Sequence, residues 1–192
     1  MTTPIKAQTE AREIALRDGA HFLLRDVRSD DEPRLRDMFA CATSEDIHFR
    51  CFGAMRGFAA DMAHRLAHLD PTRELALVAL TPPERQPEEI LGVVHLAQCP
   101  EAMDTAEFDI MVRSDLKQHG LGYRMMTEIL ESARQRGLKA ITGNILRDNY
   151  VMLQMAHELG FKTDAVDRDA VRVKVNLADS GSSFAETERE AT

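Results

Sequence analysis

Apolar positions along the chain switch between a period near 3.6 and a period of two. His21–Val27 reads as a first strand. Ser29 suits a helix N-cap, with Asp30, Asp31 and Glu32 in a first turn that favours the positive end of the helix dipole. Leu35, Met38 and Phe39 then form the stripe of a helix ending near Cys41. Ser44 can cap a short second helix carrying Ile47 and Cys51, which Gly53 and Gly57 interrupt. A third helix runs from about Phe58, with Met62, Leu66 and Leu69 at helical spacing.

The middle of the chain turns to strands. Arg73–Leu80 is short and almost continuously apolar, the pattern of a strand buried on both faces. The Pro-rich stretch 81–89 is a connection that neither a helix nor a central strand could hold. Ile90–Ala97 is the next strand, and a turn over 99–104 leads to Thr105–Val112. There Ala106, Phe108, Ile110 and Val112 are expected on one face and Glu107, Asp109 and Met111 on the other. Two acids in the middle of an otherwise good strand are locally unfavourable, and such conflicts often mark function.

After that strand a polar loop, starting at Arg113, ends in Gly120-Leu121-Gly122 and passes into a helix carrying Met125, Met126, Ile129, Leu130 and Ala133, with Gly137 as its stop. A glycine-bearing helix N-terminus offers unpaired N–H groups and a positive dipole end to an anion. No Gly-Lys-Ser/Thr follows, and the third glycine of the dinucleotide fingerprint is missing; a tight strand-to-helix turn has the same pattern. Leu138–Ile145 is a strand, Asn149 opens a helix bearing Met152, Met155, Ala156 and Leu159, Gly160 ends it, and Val171–Leu177 is a last strand. Residues 1–18 form a polar extension without a convincing strand. Residues 179–192 read as a disordered acidic tail, leaving one domain over 19–178.

Composition narrows the class. At 192 residues, with 44% hydrophobic and 29% charged residues, the chain suits one globular domain. The cleanest apolar run, Leu75–Leu80, is far short of the roughly 18 residues a membrane span needs, and no apolar leader opens the chain, so the cytoplasm is the expected location. A net charge of −8 argues against nucleic acid and anionic membranes as partners. Cys41, Cys51 and Cys99 have no CxxC spacing and carry no metal or redox signature.

The order of elements and the residues at their junctions resemble the GNAT superfamily of N-acetyltransferases. Lys117-Gln118-His119-Gly120-Leu121-Gly122 is similar to that family's acetyl-CoA pyrophosphate loop, Gln/Arg-x-x-Gly-x-Gly/Ala. Asn149 and Leu159-Gly160-Phe161 resemble its next motif. Four stretches, 25–28, 44–50, 106–108 and 112–116, resemble more narrowly the acetyltransferase domain of bacterial Pat-type protein lysine acetyltransferases. The implied fold is a single α/β domain with a mixed, mostly antiparallel sheet of about six to seven strands and four to five helices. Two positions depart from the pattern: Lys117 stands where Gln or Arg is usual, and Ala156 where many members place a tyrosine acid.

The resemblance implies acetyl-CoA as co-substrate, held by Lys117, Gln118, His119, Gly120, Leu121, Gly122, Tyr123 and Asn149, with backbone amides of Ile110, Met111 and Val112 at the pantetheine and carbonyl. It implies Glu107 as general base and His48, Phe49 and Arg50 on the acceptor side; Asp109, expected on the same strand face as Glu107, is the second choice and could orient a water. At the ordinary glutamate value of about 4.3 a carboxylate is a weak base, so the role asks for burial or a water relay. Without a tyrosine acid, water can protonate the thiolate. No cysteine lies in the loop or beside Glu107, which favours direct attack in a ternary complex over an acetyl-cysteine.

The implied acceptor is a protein lysine. A small amine, or a non-catalytic acyl-CoA sensor, remain the alternatives, and the oligomeric state is open. His64 and His68, spaced i,i+4 with Asp61 nearby, fit metal ligands, but no HExxH or cysteine pair supports them and no metal is expected. His95 reads as a satisfied core histidine, and the ten methionines as core filler.

Overall fold

The computed structural model describes residues 11–16, 18–46, 58–117 and 119–178. The readings for Ile47, His48, Phe49, Arg50, Cys51, Gly53, Gly57, Gln118 and the 179–192 tail lie outside them. The chain forms two compact units: one from the N-terminal part through Ala97 together with Asp109–Ile129, the other from Gln98–Phe108 and the chain from Leu130 onward.

In the first unit, β1 (Arg12–Ala15), β2 (His21–Asp26), β3 (Glu74–Leu80) and β4 (Ile90–Cys99) are neighbours in that order, followed by β5 (Ala102–Val112). Pairing from β1 to β4 is antiparallel, for instance Ile14 with Phe22, Leu24 with Ala79 and Val78 with Val93. β3 is buried along nearly its whole length, as its unbroken apolar run predicts. Helices α1 (Glu32–Ala40) and α2 (Phe58–Ala67) contribute Leu35, Met38, Phe39 and Leu66 to one core cluster with Val78, Leu80, Val93 and Met111. Each such side chain is worth about 1.5–3 kcal/mol when buried. β4 contains Gly92 because nothing larger fits without displacement: a Cβ there would lie 3.1 Å from the Met111 carbonyl oxygen and 2.9 Å from the Met125 sulfur.

In the second unit β5 pairs in parallel with β6 (Ala140–Leu146), Glu107 facing Thr142. β6 pairs antiparallel with β8 (Ala170–Asn176), and β8 with the edge strand β7 (Lys162–Val166). Helix α3 (Leu121–Gln135) runs through both units, and α4 (Tyr150–Glu158) belongs to the second. Gly137 and Gly160 stop these helices at φ +76 and +82, a conformation that favours glycine. No helix among the described residues is long and apolar enough to cross a membrane.

Four local expectations change. Ser29 does not cap α1; Ser29–Asp31 is a 3-10 turn and α1 begins at Glu32. The reason is a buried ion pair. Arg25 on β2, 5% exposed, donates to both oxygens of Asp31 at 2.6 and 2.8 Å, and the Arg28 N–H donates to Asp31 at 2.8 Å. Burial pushes the Asp31 carboxyl up, and these donors outweigh it, holding it below its ordinary value. Next, β1 is a strand inside the supposed extension, and β7 is a further strand, so the described residues hold eight strands rather than six or seven. Thr43, not Ser44, caps the helical residues that begin at Ser44: its hydroxyl accepts from the Asp46 N–H at 3.2 Å, and Asp46 accepts from the Thr43 N–H at 2.8 Å.

Finally, the alternation in β5 is interrupted. Ala106 and Phe108 are buried as expected, but the next buried residue is Met111, with Ile110 and Val112 only half-buried. Met111, expected on the polar face, instead joins the core of the first unit.

Candidate active site

The loop after β5 is held at both ends by charge. Arg113 donates to Asp115 at 2.9 and 2.7 Å and to Glu89 at 2.6 Å, while its N–H donates to the Leu91 carbonyl at 2.9 Å. Its hydrogen bonds to Asp115 raise the guanidinium's pKa further and lower that of the Asp115 carboxyl. Ser114–Leu116 forms a 3-10 turn, and Lys117 leaves it in extended conformation.

Lys117 does not stand alone in the loop. Its ammonium is paired with Asp46, which also accepts from the Ser114 hydroxyl and, at 2.8 Å each, from the Thr43 N–H and hydroxyl. Asp46 is 5% exposed. Burial pushes its carboxyl up, but Lys117, Ser114 and the two Thr43 donors overcome it and hold the carboxyl down at about 2. Lys117 thus anchors the loop on the Thr43–Asp46 cap, which is where the reading of Lys117 as a phosphate cation meets a competing partner. His119 is exposed and its Nδ1 lies 3.5 Å from Asp18.

The glycine at the end of the loop has the geometry an anion needs. Gly120 adopts φ +87, and a Cβ there would meet nothing within 4 Å, so the backbone is open on that side. The fifteen-residue helix that follows carries no acid in its first turn to cancel its positive end. Leu121 is buried, Gly122 half-buried and Tyr123 at the surface. A pyrophosphate fits such a cradle chemically.

Glu107 stands in the second unit. It is exposed, so the burial its role invited is not there. Its Oε1 instead accepts from the Asn144 side-chain amide at 2.7 Å. The register explains the meeting: Glu107 faces Thr142, and Asn144 is two residues further along β6, on the same face. On the reverse side Phe108 packs edge-on against Phe161, centroids 5.3 Å apart at 67°, and crowds Gly143. A Cβ on Gly143 would lie 2.2 Å from the Phe108 ring, so glycine is required for this close approach. Phe108 against Gly143 thus sets the two strands that carry Glu107 and Asn144.

Asn144 escaped the sequence reading. The signal was present in the same form as for Glu107: one exposed polar residue in a strand whose other six positions are buried. Asp109 is half-buried, two residues beyond Glu107. Asn149 uses its side-chain oxygen as the N-cap of α4, accepting from the Met152 N–H at 3.1 Å. Ala156 is buried in α4, and no hydroxyl stands at that position. His95 is buried against Glu74 at 3.1 Å, as a core histidine should be. The residue that completes a potential metal set with His64 and His68 is Glu32, not Asp61.

Known proteins agree with this architecture. The chain is similar to an acetyltransferase of Pseudomonas aeruginosa, 26% identical over 164 residues, covering 85% of this chain and 87% of that protein. In fold it resembles the GNAT domain of S. lividans PAT, with a TM-score of 0.77 at 21% identity over 86% of this chain and 96% of that one. It also resembles yncA of Salmonella typhimurium, solved with its cofactor acetyl-CoA, with a TM-score of 0.61 at 15% identity over 81% and 94% of the two chains. The model of the Acetyltransferase (GNAT) family matches residues 34–161, two thirds of the sequence. This chain is an acetyltransferase that belongs to the GNAT family.

Proposed function

We propose that the protein transfers the acetyl group of acetyl-CoA to lysine side chains of proteins, by direct attack, with Glu107 as general base. The observation that carries this reading is the Glu107–Asn144 pair: a carboxylate in mid-strand, aimed by a second strand and open to an incoming amine. The amine nitrogen attacks the thioester carbonyl carbon, and its proton passes to Glu107 directly or through one water. The carbon–sulfur bond breaks, and the departing thiolate takes a proton from water. A lysine of ordinary pKa near 10.4 needs that proton removed, and an exposed base is best supplied with water as relay.

Gly120 and the start of α3 would receive the pyrophosphate through backbone N–H groups. Lys117 holds the loop on Asp46. Support for a protein acceptor comes from the resemblance of the four Pat-type stretches, which include Arg25, Asp46, Glu107, Arg113 and Ser114.

Thermal unfolding with and without acetyl-CoA, beside a Gly122→Glu control, tests the cofactor site. At a hundredfold excess over its dissociation constant the ligand adds about 2.7 kcal/mol, a rise of roughly 5–10 °C. No rise at millimolar acetyl-CoA sinks the reading. With binding in hand, mass spectrometry of acetylated lysines against assays on free small amines separates the two acceptor classes. Binding without turnover on either class would make the protein a sensor.

A further inference from the structure

We infer that Glu32, His64 and His68 form a binding site for a divalent transition metal of the zinc, cobalt or nickel kind, tying α1 to the end of α2. His64 and His68 are spaced i,i+4 and lie side by side, ring centroids 4.4 Å apart and 32° from parallel. Glu32 opens α1, thirty-two residues earlier in the chain, and its Oε2 lies 3.1 Å from His64 Nδ1 and 3.7 Å from His68 Nδ1. All three ligand atoms lie within 4.8 Å of one another.

A tetrahedral ion with ligands at about 2.0–2.1 Å needs ligand atoms about 3.3 Å apart. Two edges of the triangle are already within a few tenths of an ångström of that. The donor set, two imidazoles and one carboxylate, is the one zinc accepts with its fourth position left for water, and it is too nitrogen-rich for magnesium or calcium. The other Glu32 oxygen, Oε1, accepts from Arg36 at 2.8 Å, which fixes the carboxylate with Oε2 turned toward the histidines. His68 Nδ1 now lies 2.9 Å from the His64 carbonyl and would exchange that contact for the metal. Both histidines are exposed, so an ion has direct access.

The alternative is a plain histidine–carboxylate pin between two helices. Titration of the whole chain with Zn2+ by calorimetry, and with Co2+ by visible absorption, distinguishes them. We expect one equivalent of each metal, with cobalt bands of tetrahedral intensity. His64→Ala, His68→Ala and Glu32→Gln should each weaken binding by on the order of tenfold or more, while Cys41→Ser leaves it unchanged. Equal binding by wild type and a His64→Ala/His68→Ala double variant would overturn the site. So would no saturable binding up to millimolar metal. The readout is metal binding itself, so it stands apart from any test of acetyl transfer.

Discussion

Two carboxylates, one anchoring a loop and one proposed as a base, sit in opposite settings. Asp46 is buried and accepts from Lys117, Ser114 and both Thr43 donors, and its carboxyl is held at about 2. Glu107 is exposed and accepts from Asn144. The carboxyl held far down belongs to the residue that fastens a loop, while the residue proposed to move a proton is open to solvent. A strongly shifted acid in a structure therefore marks architecture as readily as catalysis, and accessibility has to be weighed beside it. A base must exchange its proton with the medium every turnover, whereas an anchor must never lose its charge.

The comparison can be broken first at Glu107. Glu107→Gln keeps shape and hydrogen-bonding capacity but cannot accept a proton, so kcat should fall on the order of 10²–10⁴-fold. Stability should change by no more than about 0.5 kcal/mol, because the site is exposed. A kcat within threefold of wild type ends the base assignment.

Next in size is Gly143→Ala. The added methyl would meet the Phe108 ring at 2.2 Å and should cost about 1–3 kcal/mol in urea unfolding, with kcat falling as β5 and β6 shift. An unchanged midpoint would show that Phe108 moves aside freely, and Glu107 would lose its supposed support.

Asp46→Asn comes third, at about 1–2 kcal/mol near neutral pH, discounted because its partner Lys117 is 40% exposed. The sign of the pH effect is set by the depressed value. The carboxyl sits at about 2 in the folded chain against an ordinary 3.8. Its contribution is therefore complete above about pH 4 and is lost as pH falls toward 2. Wild type should lose melting temperature across that window with a slope that Asp46→Asn lacks. Parallel acid profiles would show the charge to be irrelevant to the fold.

Asn144→Ala is the smallest. One hydrogen bond of about 1 kcal/mol is removed from the proposed base, so kcat should drop roughly fivefold with little change in stability. A loss as large as that of Glu107→Gln would instead place Asn144 on the substrate.

The elements that could be read from the chain are those whose apolar pattern is complete in itself. β3 and β4 are apolar runs, the stripes of α1 to α4 recur at helical spacing, and Gly137 and Gly160 stop helices where expected. β1 and β7 could not be read so. β1 buries only Ile14 and β7 buries nothing, so no alternation announces either; each is a strand because of the partner it pairs with. The break in the burial pattern of β5 was hidden for a related reason, since Met111 is apolar whether it is buried or not.

Local periodicity, turn residues and the glycine-bearing loop between β5 and α3 depend on neighbours a few positions apart, and the sequence by itself determined them, together with the choice of Glu107 as a polar residue in mid-strand. Partners depend on which distant segments meet, and only the tertiary structure decided those. It brought Asn144 to Glu107, Asp46 to Lys117, Asp31 to Arg25 and Glu32 to the two histidines. Each of those pairs joins residues from different elements through strand register or helix packing, and charge pairing over such separations leaves no period in the chain.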